Sequence, residues 1–121
     1  MTVSGSLRKR RASKPAEDEV PWEMANLRPD RTGLPFVVWI SQRGNARHDV
    51  RVNVTPGPAW QPERAASVAV RPAVRVVQGE LPAADLALLG RWIARNEPVL
   101  IDFWEGRIAY TEDALALIEK P

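Results

Sequence analysis

The chain has 121 residues, 45% of them hydrophobic and 26% charged, and this size and mixture are typical of one small soluble globular domain. The absence of cysteine excludes a disulfide scaffold, a thiolate zinc site and a cysteine nucleophile. Seventeen basic and 15 acidic residues give a net charge of +2, which by itself indicates no class of partner. No apolar run approaches the roughly 20 residues of a membrane-spanning helix, so we expect a cytoplasmic protein without membrane contacts.

Residues 1–32 show little hydrophobic periodicity and are interpreted as a tail. A basic cluster at residues 8–11 is followed by an acidic one at residues 17–19, and such a composition buries too little apolar surface to order itself. We expect this segment to be disordered or loosely docked, and to contain no signal peptide. In an alternative with a shorter tail, residues 22–27 dock on the domain. A single α+β domain is expected over residues 33–121.

Three apolar stretches predict the sheet. Residues 36–40 are β-branched and aromatic, apolar on both faces, and typical of a central strand. The Gly-Asn pair at residues 44–45 favours a tight hairpin, so a second strand over residues 47–55 is expected to be antiparallel to the first. Valines alternate again over residues 67–77, where Pro72 marks an edge strand or a break.

The C-terminal third predicts helices. Apolar residues recur at helical spacing over residues 82–95. Residues 98–105 form either a second helix closed by Gly106 or part of a hairpin with residues 107–110. Thr111 is typical of an N-cap and predicts a last helix. The expected fold is α+β, with a three- to four-stranded antiparallel sheet packed against two or three C-terminal helices.

A resemblance to known proteins rests on four short motifs, which are VVQGEL at residues 76–81, LALL at 86–89, RWIARN at 91–96 and LIDFWEG at 100–106. Together they resemble a group of small uncharacterised bacterial proteins over about residues 34–119. The resemblance implies a short sheet, a Trp-containing helix, a second helix ending near another Trp, and a short terminal helix. It also implies a toxin–antitoxin-like or nucleic-acid-associated role. Some members carry a His-any-His pair in the sheet, where this chain has one histidine within residues 47–51.

Four arginines share the polar face of the predicted sheet, namely Arg47, Arg51, Arg71 and Arg75. Guanidinium groups suit phosphates, so this basic sheet face is a candidate surface for binding polyanions. No aromatic residue has the parity that would place it on the same face. In the alternative interpretation, these arginines pair with carboxylates of the C-terminal third, such as Glu105, or stay solvated.

Two further residues are candidates for binding. His48 shares the parity of three valines in the second strand and is interpreted as a histidine at the rim of the core. No second histidine or cysteine lies near it, so we expect no metal and no cofactor. Trp60 lies in a proline-rich loop, where it either plugs the core or contacts a partner. The candidate binding residues are therefore Arg47, His48, Arg51, Arg71, Arg75 and Trp60, and no catalytic residue is assigned.

For the function, we expect a binding or regulatory module that contacts a protein or a nucleic acid through its basic sheet face, rather than an enzyme. Two alternatives stay open. One is a structural protein that self-associates as a homo-oligomer without binding nucleic acid, and the other is a small enzyme centred on His48.

Overall fold

The computed structural model describes residues 24–121, which form a five-stranded antiparallel sheet and three α-helices. The strands lie side by side in chain order and are β1 (Met24–Leu27), β2 (Val37–Ser41), β3 (Arg51–Thr55), β4 (Ala66–Ala69) and β5 (Arg75–Gln78). The helices are α1 (Pro29–Thr32), α2 (Ala83–Trp104) and α3 (Thr111–Leu117). The α+β class is confirmed, whereas the sheet has five strands rather than three or four. No helix within residues 24–121 is long and apolar enough to cross a membrane.

Strand β1 lies in the stretch that the sequence predicts as a tail, and it agrees with the alternative in which residues 22–27 dock on the domain. Leu27 pairs with Val38 of β2 and is completely buried. Thr32 of α1 is also buried, and its hydroxyl accepts a hydrogen bond from the Leu34 N–H at 3.1 Å. The folded unit thus includes residues that precede the expected boundary at residue 33. The remainder of the predicted tail, residues 1–23, lies outside the described residues.

The connections between strands differ from the predicted ones. Strands β2 and β3 are antiparallel, as predicted, but residues 42–50 connect them instead of a two-residue turn at residues 44–45. The valine-rich stretch 67–77 is interrupted near Pro72, which agrees with the second of the two alternatives for that proline, and the chain turns there and returns as β5. This reversal and the additional β1 account for the five strands.

One face of the sheet packs against α2 and forms the core. Alternate residues of the strands, including Val52 and Val68, are completely buried, as the period of two predicts. Helix α2 contributes Trp92 and Ile93 from its middle and Phe103 near its end. Because α2 covers this face, the polar side chains of β3 and β4, such as Asn53 and Ser67, lie on the opposite face of the sheet.

Helix α2 continues through Pro98, which corrects both predictions for residues 98–105. Neither a break near residue 96 nor a hairpin is present there. Proline lacks the N–H that would bond the carbonyl of Ala94, yet Leu100 and Phe103 beyond it are each 2% exposed. Burial of these side chains against the sheet stabilises the second half of the helix. Helix α3 begins with Thr111 itself rather than after it as a cap.

Candidate functional site

The face of the sheet opposite α2 carries two rows of side chains that cross the strands. The strand registers pair Asn53 with Ser67 and Ser67 with Gln78, and they pair Arg51 with Ala69 and Ala69 with Arg75. Arg51 and Arg75 thus stand two strands apart, about 10 Å between their backbones, with only a methyl group between them. We call this surface the open face.

A groove of about 490 Å³ lies on the open face beside the loop that connects β2 to β3. Its polar lining consists of two arginines, a histidine and uncharged hydroxyl and amide side chains, which are Arg43, Arg51, His48, Ser41, Gln42, Asn45, Asn53, Ser67 and Gln78. No carboxylate of the described residues lines it. A cavity with guanidinium donors and no acidic side chain favours an anionic ligand.

Strands β3 and β4 fix the floor of the groove. The Ser67 hydroxyl donates a hydrogen bond to the Asn53 side-chain oxygen, which orients the Asn53 amide. Its nitrogen then donates to the Met24 sulfur of β1 at 3.4 Å, and sulfur is a weak acceptor. The Asn53 amide is therefore held in place, while much of its donor capacity is available to a ligand.

The loop of residues 42–50 is anchored on the C-terminal end of α2. The Arg43 N–H donates to the Trp104 carbonyl at 2.9 Å, and the Gln42 side chain donates to the Ala109 carbonyl at 3.0 Å. The exposed His48 ring stacks on the Trp104 indole, with ring centroids 5.5 Å apart and an angle of 27° between the planes. One wall of the groove is thus built by contacts that are distant in sequence.

Arg71 belongs to an ion-pair network and not to the open face, which corrects its assignment to the basic sheet face. Its guanidinium contacts the Asp49 carboxylate at 2.8 Å and the Glu105 carboxylate at 2.9 Å. Arg107 adds a contact of 2.7 Å to Glu105. These hydrogen bonds lower the pKa of Asp49 from 3.8 to about 2 and also lower the pKa of Glu105. For Arg71, the alternative of pairing with the acidic C-terminal third is the observed one.

The other candidate residues are distributed around the groove. Arg47 is exposed in the loop before β3, so it lies outside the sheet, and it does not line the groove. His48 is also outside the strand, although Val50, Val52 and Val54 are buried as the predicted parity requires. Arg51 lines the groove, and Arg75 stands beyond it in the same row.

Trp60 packs edge-on against Trp39, with ring centroids 5.3 Å apart and an interplanar angle of 73°. Trp39 pairs with Asn53 and therefore lies on the open face, contrary to the expectation that no aromatic residue does. It is only 3% exposed, and its indole N–H donates to the buried Thr55 hydroxyl at 2.8 Å. Trp60 thus covers part of Trp39 and is itself half-buried, so it plugs this end of the sheet and keeps part of its surface accessible.

Seven polar residues of the groove are not among the candidate binding residues predicted from the sequence, namely Ser41, Gln42, Arg43, Asn45, Asn53, Ser67 and Gln78. Ser67 shares the odd parity of Arg75 along the predicted strand, and that signal was sufficient to find it. Gln78 has the opposite parity. It reaches the open face because a bulge at Ser67 and Val68 shifts the β4–β5 register, and such a bulge cannot be predicted from parity. Arg43 lies in a loop, where strand parity carries no information.

Comparison of the chain with protein-family models, with curated proteins and with solved structures finds no match. Within residues 24–121, no cluster of three or more histidine, aspartate or glutamate side chains is arranged to hold a metal ion. The groove on the open face is therefore interpreted from its own chemistry.

Proposed function

We propose that this protein is a binding module whose open face takes a phosphate-bearing polymer, with the groove at its centre. The observation that carries the proposal is the lining of the groove, which combines Arg43 and Arg51 with neutral polar side chains and no carboxylate of the described residues. Arginine presents a planar fork of donors that matches phosphate oxygens, and hydroxyl and amide groups supply the remaining hydrogen bonds.

The ion-pair network compensates the charge of Asp49, the carboxylate that lies in the same loop as the groove residues. Between β2 and the end of β3 the chain has one acidic residue, Asp49, together with Arg43, Arg47 and Arg51. Two hydrogen bonds from Arg71 hold the Asp49 carboxylate, at 2.8 and 3.0 Å. The Asp49 charge is thus compensated by Arg71, which does not line the groove.

The spacing of the arginines favours a ligand with several anionic groups. Arg75 lies outside the groove, about 10 Å from Arg51 by backbone distance. Neither arginine makes an ion pair with a carboxylate within residues 24–121. A ligand that contacts both must extend across β4, as a nucleic-acid backbone does.

The proposal is tested by the salt dependence of binding to a fluorescently labelled 15-nucleotide DNA single strand, measured by anisotropy. Each lost phosphate contact on a single strand lowers the slope of log K against log salt by roughly 0.7. The Arg51→Ala/Arg75→Ala variant is therefore expected to bind more weakly, with a slope lowered by about 1.4 and an unchanged melting temperature.

The matched control is Arg64→Ala/Arg91→Ala, which removes the same charge from exposed positions outside the groove. Equal losses of affinity in both variants would indicate a nonspecific effect of net charge and would contradict the proposal. Absence of measurable binding by the unmodified protein at 20 mM salt would contradict it outright.

The toxin–antitoxin-like setting implied by the resemblance stays a prediction, for which the identity of the adjacent genes is the test.

Self-association is the competing hypothesis, and it predicts a dimer or larger species in a mass measurement in solution. The second alternative, an enzyme centred on His48, has less support. No described side chain supplies a second acid, base or nucleophile at hydrogen-bond distance from the His48 ring, and Nδ1 of the ring contacts the Asp49 main-chain carbonyl.

A further inference from the structure

We propose that the groove holds an unpaired nucleobase against the His48 ring, so that the ligand is a single-stranded nucleic acid rather than a duplex. This inference rests on the proposed function and adds the part of the ligand that the groove itself recognises. It is argued from the His48–Trp104 stack, from the fixed position of His48 and from the amide side chains that face the same cavity.

The stack provides an aromatic surface at the wall of the groove. Trp104 is 4% exposed, so its indole is part of the core, and one face of the imidazole lies against it. The His48 side chain itself is exposed and lines the groove together with Trp104. An exposed ring backed by a buried one offers its second face to a further planar group, and bases stack on histidine in this manner.

Contacts on both sides of the stack hold it in place. Nδ1 of the His48 ring is 2.7 Å from the Asp49 carbonyl oxygen, which fixes the ring orientation. The Asp49 side chain is held by Arg71, which also bonds Glu105, the residue that follows Trp104. The ring is thus ordered before a ligand arrives, which lowers the entropic cost of binding.

The groove also offers hydrogen bonds suited to the edge of a base. Asn53 and Gln78 each carry a donor and an acceptor on one planar amide, the combination that pairs with base edges. In a duplex the Watson–Crick edges are paired and the base faces are stacked, so only an unpaired base can present its Watson–Crick edge to the amides and its face to the His48 ring. Arg43 and Arg51 at the same cavity are then placed for the flanking phosphates.

The experiment compares three probes of equal length and label, which are oligodeoxyadenylate, the same backbone with abasic sites, and a DNA duplex. Stacking contributes about 5- to 150-fold per base to affinity. The unmodified protein is expected to bind the adenylate strand at least tenfold more tightly than the abasic strand or the duplex. His48→Ala should remove this preference, while His48→Phe should keep it.

The outcomes separate the two proposals. Equal affinity of the unmodified protein for adenylate and abasic strands would overturn the stacking proposal and leave the polyanion-binding proposal standing. Loss of the preference in His48→Phe as well as in His48→Ala would also overturn it, whereas quenching of tryptophan fluorescence by the adenylate strand alone would support it. Absence of binding to all three probes would overturn both proposals. The same measurement with an RNA strand of matching sequence compares the affinities for RNA and DNA, and the tighter of the two identifies the nucleic acid that the groove prefers.

Discussion

Replacement of Asn96 by alanine is expected to destabilise the protein by about 1.5 kcal/mol, because Asn96 connects α2 to the C-terminal segment. Asn96 is 1% exposed. Its side-chain oxygen accepts from the Glu119 N–H at 2.7 Å, and its nitrogen donates to the Glu119 carbonyl at 2.8 Å. The side chain thus pairs with a main-chain unit as a neighbouring strand would.

The magnitude follows from these two bonds. Each contributes about 1 kcal/mol net, which gives about 2 kcal/mol for the pair. The third bond, from the Asn96 nitrogen to the Trp92 carbonyl at 2.9 Å, adds little because the helix already provides that carbonyl with a donor. Alanine's higher helix propensity returns about 0.5 kcal/mol. The resulting loss corresponds to a decrease in Tm of roughly 6–12 °C.

The assay is urea unfolding monitored by circular dichroism, combined with hydrogen exchange at the Glu119 amide. Glu119→Ala is the matched control, since it keeps the main-chain partners and removes only the exposed ion pair with Arg95, worth less than about 1 kcal/mol. Deletion of residues 119–121 should cost as much as Asn96→Ala, and combining the two should cost no more. Fully additive losses would refute the assigned pairing.

Three further predictions concern the core, the ion-pair network and one glycine. Trp92→Ala should cost about 3–5 kcal/mol, whereas Trp92→Phe should cost clearly less, because the buried indole N–H has no hydrogen-bond partner among residues 24–121. Urea unfolding measures both. The pKa of Asp49 is lowered to about 2 from 3.8, so its stabilising effect is present above pH 4 and lost as pH falls toward 2; Asp49→Asn should flatten the decline of Tm with acid. Gly79→Ala should be strongly destabilising, because φ is +79° and the added Cβ would collide with backbone atoms of Ala65 and Ala66. Gly44→Ala should be less destabilising, because φ is +53° but no atom of the described residues lies within 4 Å of the added Cβ. Urea unfolding compares the two variants.

The sheet core was predictable because strand parity is a local property. Val50, Val52 and Val54 alternate with polar residues, and all three are buried. Strand β1 was not predictable in the same way. It has four residues, and its burial depends on pairing Leu27 with Val38, a contact that local composition does not indicate.

The prediction for α2 was wrong because the local preference for a break at proline is outweighed by tertiary packing. Proline inside a helix costs about 3 kcal/mol, which favours a break before Pro98. Burial of Leu100 and Phe103 beyond it outweighs that cost, and the side chain of Asn96 bonds the main chain of Glu119. Such contacts join distant parts of the chain and leave no pattern in a short window.

The basic sheet face was predictable in part. Arg51 and Arg75 share a face because each lies in a regular strand opposite Ala69. Arg71 has the same parity as Arg75, but it precedes the turn at Pro72, and its carboxylate partner Glu105 becomes adjacent only through packing of α2. Parity predicts faces within strands and gives no information about turns.

The most direct test of the proposed function is an NMR titration of ¹⁵N-labelled protein with a short oligodeoxyadenylate. Binding at the groove predicts progressive chemical-shift changes at the backbone amides of Ser41, Asn53, Ser67 and Gln78, on the open face. The exposed side of α2, represented by Arg91, should not respond. Shifts confined to α2, or no shifts at millimolar oligonucleotide in low salt, would contradict the assignment of the open face as the binding surface.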